Sequence, residues 1–208
     1  IFNSEEDVRT RRPPLCLNTG IGGSGKTVAL QLACRSFLKE NKNAQAFYLS
    51  FNQSGDQNCD ELLQPRTRLA IRLLYSCVAT TCPTPYRSIN GFYQDLIKRF
   101  PAILSSGLEM MDALLAVVAL TKPKWDIMIA VDELRKLKKS NAPTSEYSQV
   151  HIVHECVEGL SALGGLVDYS INEKRRNKEF PLVFVCASAY AAVDIKTFLT
   201  ESHRPFTW

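Results

Sequence analysis

The sequence contains no C-x-x-C pair, no N-K-x-D string, no internal repeat and no low-complexity tract. Its longest apolar candidate, residues 113–120, falls far short of the ~20 residues a membrane span needs. Charge of one sign is also scarce. Lys and Arg number 25 against 21 Asp and Glu, a net +4 over 208 residues, and 45% of residues are hydrophobic. General disorder is thereby excluded, and one soluble α/β domain over residues 1–208 is the simplest expectation. Seven cysteines, an odd number without paired spacing, speak against a disulfide framework and for a reducing, intracellular compartment. Cys16, Cys34 and Cys186 lie in apolar runs, where a thiol serves as a small hydrophobe. His151, His154 and Cys156 have no second ligand pair at zinc spacing, so they read as residues of one helix. Residues 1–12 form a polar, charged lead-in, unlike a secretory signal. The first residue is Ile, so the expectation is a piece of a longer chain.

Along the chain, short apolar runs alternate with segments of helical period. Residues 15–19 read as a buried strand, 20–24 as a glycine-rich turn, and 26–39 as a helix with apolar Val28, Ala29, Leu30, Leu32, Ala33 and Phe37. Residues 44–51 form an aromatic strand and 53–59 a polar loop. Helices are expected over 65–79, 89–100 and 108–120, the first with Pro65 in its opening turn. A third strand spans 126–131. Residues 132–148 read as a basic, proline-containing loop with a short helix. A long helix covers 150–167, with Gly164-Gly165 able to end it early, and 172–178 read as a charged loop. The unbroken apolar run 181–187 suits a strand covered on both faces. A helix over 191–199 and a fifth strand at 205–208 complete the order. That alternation predicts a mainly parallel central sheet with helices on both faces, a three-layer α/β fold.

Gly20-Ile21-Gly22-Gly23-Ser24-Gly25-Lys26-Thr27 matches G-x-x-x-x-G-K-[ST]. Chance supplies such a match in roughly one chain in a hundred of this length. A buried strand precedes it and a helix follows it, as phosphate binding requires. Glycines let successive N–H groups turn inward round an anion, and the helix beginning near Lys26 adds its positive dipole end. Lys26 is placed to reach the β- and γ-phosphates, and the Thr27 hydroxyl to ligate Mg²⁺.

Such a loop needs a carboxylate on a neighbouring strand to hold the ion. Residues 126–133 end in Asp132 and Glu133: Asp132 is assigned to Mg²⁺, and Glu133 to polarising an attacking water. Two acids here can also cap a helix; the loop at 20–27 tips the reading towards chemistry. Asp126, at the start of the strand, is given no chemical role. With no N-K-x-D motif, ATP is preferred over GTP.

The Asp-Glu pair resembles the additional-strand catalytic-glutamate group of P-loop proteins, with Walker A and B elements like those of AAA-like and STAND-like ATPases. The resemblance implies that another strand separates the Asp132 strand from the loop strand. The 181–187 strand is the natural insert, and Ser188, just past its end, would sit near the γ-phosphate and sense it. An ordinary helix cap is the competing role for Ser188. The wording L-x-x-G-x-G-G-x-G-K-T (Leu17 to Thr27), the Phe47-Tyr48-Leu49-Ser50-Phe51 strand and the Ser202-His203-Arg204-Pro205 stretch resemble the ATPase module of Crinkler and retrotransposon-hot-spot effector proteins. That likeness implies fusion to a nuclease-like domain, here lying beyond Trp208, and a host-nuclear location.

The expected activity is Mg²⁺-dependent ATP binding and hydrolysis working as a conformational switch. Two readings stay open beside it: a non-hydrolysing nucleotide-dependent interaction module, and a small-molecule or nucleoside kinase with Arg175-Arg176 in a lid. Three basic clusters (Arg9, Arg11 and Arg12; Arg135, Lys136, Lys138 and Lys139; Lys174, Arg175, Arg176 and Lys178) read as solvated faces, with weak, salt-sensitive nucleic-acid binding expected at most. Only Arg135 is close in sequence to the site elements. An arginine supplied by a second copy or a partner protein is therefore expected.

Overall fold

The computed structural model describes residues 15–20, 23–51, 63–82, 86–121, 125–137, 149–190 and 206–207. The lead-in 1–12, the loop 53–59, the helix expected over 191–199, and Ile21, Gly22 and Arg204 lie outside the described residues.

Among the described residues five strands form one sheet: β1 (Leu15–Gly20), β2 (Ala44–Ser50), β3 (Asp126–Asp132), β4 (Val183–Tyr190) and β5 (Phe206–Thr207), in the order β2-β3-β4-β1-β5. Each neighbouring pair is parallel. β4 therefore lies between β1 and β3, where the 181–187 strand was expected. The helices are α1 (Lys26–Glu40), α2 (Pro65–Thr81), α3 (Ile89–Arg99), α4 (Ile103–Ser106), α5 (Met110–Leu120) and α6 (Gln149–Arg176). A 3₁₀-helix, Leu134–Leu137, follows β3 after the single linking residue Glu133.

The period of two along the strands sorts the core. Phe47, Leu49, Ile127, Ile129, Val131, Val183, Val185, Leu15 and Leu17 face α2, α5 and α6 in one apolar cluster. Met128, Ala130 and Cys186 face α1 through Leu30, with Ala46 and Tyr48 at the margin. Helices thus cover both faces, and each fully buried side chain of this size contributes about 1.5–3 kcal/mol. A satellite cluster of Ile71, Phe92, Tyr93 and Ile103 seats α3 and α4 on the outer side of α2. Ser88 caps α3 by accepting the Gly91 N–H at 3.3 Å. No described helix is long and apolar enough to cross a membrane.

Several details differ from expectation. α6 runs on to Arg176 through Gly164-Gly165 and the supposed loop. Leu163, Leu166, Val167 and Ser170 keep one face buried there, and Ser170 Oγ accepts the Val183 N–H at 3.1 Å, tying the helix to β4. Lys174, Arg175 and Arg176 then occupy the last turn, where cations suit the dipole. β4 extends past Ala187 to Tyr190, so Ser188 lies inside the strand and not beyond it. On α1 the sheet-facing positions are Leu30, Ala33, Cys34 and Phe37, a single i, i+3, i+4, i+7 stripe; Val28 and Leu32 point away from it and are exposed among the described residues. Cys186 is buried, whereas Cys16, expected in the core, is exposed among the described residues.

Candidate functional site

The loop between β1 and α1 opens at the carboxyl end of the sheet, where ligands bind in parallel α/β folds. Gly23 and Gly25 both have positive φ, 77° and 81°. Gly25 caps α1 in the left-handed conformation. Only glycine adopts this cheaply, which is the physical reason for the G-x-G spacing. Lys26 is 7% exposed, with Nζ 3.5 Å from Ser24 Oγ. Thr27, in the first turn, projects towards β3.

Strand parity brings the polar groups together. Residues 128, 130 and 132 of β3 share the α1 face, as do 184, 186 and 188 of β4 and 46, 48 and 50 of β2. Towards the carboxyl ends this row brings together Asp132, Ser188 and Tyr48. Asp132 is 1% exposed. Its Oδ2 accepts the Thr27 hydroxyl at 2.8 Å and the Tyr48 hydroxyl at 2.7 Å. Its Oδ1 accepts the Ser188 hydroxyl at 2.6 Å. Ser188 Oγ in turn accepts the Glu133 N–H at 3.2 Å.

Burial pushes the Asp132 carboxyl upward. Hydrogen bonds from Ser188, Tyr48, Thr27 and the Glu133 N–H together outweigh it, so the group stays ionised below the ordinary carboxylate range. The Tyr48 phenol is raised by burial and by its bond to Asp132, with Gln31 of α1 acting in the other direction.

Glu133 is the one non-glycine with positive φ among the described residues, at 58°. Such a conformation costs on the order of 1–3 kcal/mol and persists only where its surroundings impose it. Here the Asp132 carbonyl accepts the Phe51 N–H at 3.3 Å, Ser188 holds the Glu133 N–H, and Leu134 and Leu137 are buried just beyond it. Glu133 itself is half-buried.

The structure thus unites Thr27, Asp132, Glu133 and Ser188, with Lys26, Ser24, Gly23 and Gly25 in the same loop; Gly20 ends β1. Ser188 is fully buried and hydrogen-bonded to Asp132 and Glu133. It positions these two acids from within β4, a correction to its expected place past the strand end. Asp126 caps the chain entry to β4, accepting the Leu182 N–H at 3.0 Å. Arg175 and Arg176 lie at the end of α6, before the amino end of β4 and away from the site. Arg176 pairs with Glu173 at 3.0 Å.

Two features were missed in the sequence. Tyr48 was visible only as part of an aromatic strand. Arg68 and Arg72 of α2 reach the carboxyl edge of β2 and β3: Arg72 Nη1 donates to the Ser50 carbonyl and Arg68 Nη1 to the Leu137 carbonyl, each at 2.8 Å. Arg135 is therefore not alone near the Asp132 strand. Sequence distance hid both arginines, since contacts through a fold are not local.

Among the described residues no group of three or more His, Cys, Asp and Glu side chains is arranged to hold a metal. The oxygen pair Thr27 Oγ1 and Asp132 Oδ2 fits an ion of the Mg²⁺ type, which takes one or two protein oxygens and completes its shell with phosphates and water.

No protein-family model and no curated protein sequence matches the chain.

Proposed function

We propose that the chain is a P-loop NTPase domain that binds ATP with Mg²⁺ and hydrolyses it. The observation that carries this reading is the 2.8 Å hydrogen bond from Thr27 to Asp132. It joins the last residue of a glycine-rich loop to a buried acid two strands away, at the carboxyl end of a parallel sheet. A structural turn has no need of that link, whereas a site for a phosphate-bound cation does.

In this reading the N–H groups of residues 20–27 bind phosphate oxygens. Lys26 neutralises charge on the β- and γ-phosphates. Thr27 and Asp132 would hold Mg²⁺, which when bound offsets charge on the transferring phosphoryl group. Glu133 orients a water and accepts its proton as the water oxygen attacks the γ-phosphorus and the bond to the β–γ bridging oxygen breaks, with ADP as leaving group. Tyr48 and Ser188 fix the Asp132 carboxylate, and Ser188 also fixes the Glu133 backbone. Hydrolysis then works as a conformational switch. The strained Glu133 backbone marks this turn as a functional element, since strain of this kind collects at active sites, ligand clamps and switch regions. Fusion to a nuclease-like domain and a host-nuclear location belong to the same proposal through the effector resemblance, and weak nucleic-acid binding through the three basic clusters.

The test is titration calorimetry with ATP and Mg²⁺ together with phosphate release by the purified chain. Binding that needs Mg²⁺ and is lost in Lys26→Ala is expected. Equal affinity in the unaltered and Lys26→Ala chains would sink the assignment.

A further inference from the structure

The Asp132–Glu133 turn is gripped from both sides of the sheet. On the α1 face three hydroxyls hold the Asp132 carboxylate. On the opposite face lies Phe51, just past β2. Its N–H donates to the Asp132 carbonyl at 3.3 Å, and its ring is covered by two guanidiniums from α2. Arg72 stands 4.4 Å and Arg68 5.5 Å from the ring centroid. Both arginines are nearly buried, at 6% and 4% exposure.

Their hydrogen bonds end on the two flanks of Glu133. Arg72 holds the Ser50 carbonyl, and Ser50 pairs with Asp132 in the ladder. Arg68 holds the carbonyl of Leu137, the last residue of the 3₁₀-helix that follows Glu133. Leu137 is itself seated in a gap left by Gly159 of α6, where an added Cβ would lie 2.7 Å from Leu137 Cδ1. Residues 132 and 137 are thus pinned, and Glu133 is the link between them with the imposed φ of 58°.

We propose that Arg68 and Arg72 form a brace that sets the position of Glu133, making them positioning residues for the water-activating carboxylate; this rests on the hydrolysis reading. Packing alone explains neither side chain, because a methionine would fill a similar volume without placing donors on two chosen carbonyls. The planar guanidinium supplies what the task needs: its charge lies over the Phe51 ring while one of its N–H groups donates to a main-chain oxygen. Lysine has no such plane.

The test uses the whole 208-residue chain with Arg68→Met, Arg72→Met, Arg68→Lys and Phe51→Leu. Phe51→Leu keeps both cations and removes their platform, so it serves where a methionine variant fails to fold. Three quantities are measured: ATP affinity with Mg²⁺, kcat, and amide hydrogen exchange. The expected result is affinity within about twofold of the unaltered chain and kcat lower by about 10- to 100-fold, as small misplacements of a reacting group produce. Exchange should rise at residues 133–137 and stay unchanged in α1. Arg68→Lys should not restore kcat. Unchanged exchange at 133–137 in the folded variants would overturn the brace. So would a parallel loss of affinity, kcat and protection throughout the domain, since that marks a general packing role. If the unaltered chain binds ATP without turnover, the hydrolysis reading falls, and exchange at 133–137 alone decides whether the brace exists.

Discussion

The Tyr48 hydroxyl donates to Asp132 Oδ2 at 2.7 Å, on the same oxygen that Thr27 reaches from α1. β2 is an edge strand among the described residues, so this bond lets the sheet margin help set the acid of the neighbouring strand. Tyr48→Phe removes the donor and keeps the ring. Hydrogen bonds to charged groups are worth about 1.5–3 kcal/mol, and Tyr48 is only half-buried, so a loss near the lower end is expected. Denaturant unfolding should show it as a lower midpoint with unchanged slope. ATP binding should also need more Mg²⁺, because the carboxylate is less firmly aimed. A variant with the same midpoint and the same Mg²⁺ requirement would leave Tyr48 without the part assigned to it.

Acid should weaken the fold through Asp132. Its folded pKa lies below the unfolded value of about 3.9. A depressed carboxyl contributes stability that is complete above the unfolded pKa and is lost as pH falls through the folded one. The stability gap between the unaltered chain and Asp132→Asn should therefore be constant near neutral pH and narrow below about pH 4. Urea midpoints measured across that range check it. A gap that widens on acidification would reverse the sign and contradict the hydrogen-bond account.

Glu133 separates chemistry from stability. Glu133→Gln keeps shape and should retain ATP binding while losing turnover, because an amide cannot take the proton. Glu133→Gly should lose turnover as well, yet raise the melting temperature, since glycine adopts φ near 58° without the Cβ penalty. A gain of about 1 kcal/mol is the expected size, the relieved strain of about 1–3 kcal/mol less the roughly 0.5–1 kcal/mol that glycine's extra backbone freedom costs. Paired calorimetric melts and phosphate-release assays distinguish the two effects. Turnover by Glu133→Gln at the unaltered rate would remove Glu133 from the chemistry.

How much of this was legible depended on whether the signal was local. Gly20 to Thr27 and the Asp132-Glu133 pair are contiguous strings whose chemistry follows from residue type and spacing, so they could be read directly. Parallel strands also declared themselves through unbroken apolar runs such as 181–187. The extent of α6 could not be read, because Gly164-Gly165 and a charged run look like punctuation. Burial of Leu163, Val167 and Ser170 against the sheet overrides that local preference. Tyr48, Arg68 and Arg72 were invisible as site residues for a related reason. A tyrosine in an aromatic strand and arginines in a helix are ordinary until the sheet register sets Ser50 beside Asp132. The placement of Ser188 turned on three residues of strand length.

Hydrolysis by the isolated chain should be slow and should rise with protein concentration. Negative charge spreads over the γ-phosphoryl group in the transition state, and an added arginine is worth ~10³–10⁵ in rate. Among the arginines whose side chains the structure describes, Arg68, Arg72, Arg175 and Arg176 are not placed to supply it. Arg68 and Arg72 lie behind the Asp132–Glu133 turn, on the face away from Thr27, with their guanidiniums on main-chain carbonyls and the Phe51 ring. Arg175 and Arg176 end α6 before the amino end of β4, the wrong end of the sheet for a nucleotide. We therefore expect a second copy or a partner protein to supply the added charge. Specific activity that climbs with concentration, and a step up on adding a partner, are the expected results. A rate that is fast, independent of concentration and indifferent to Arg135→Ala and Arg204→Ala would mean that the chain completes its own site and would overturn this prediction.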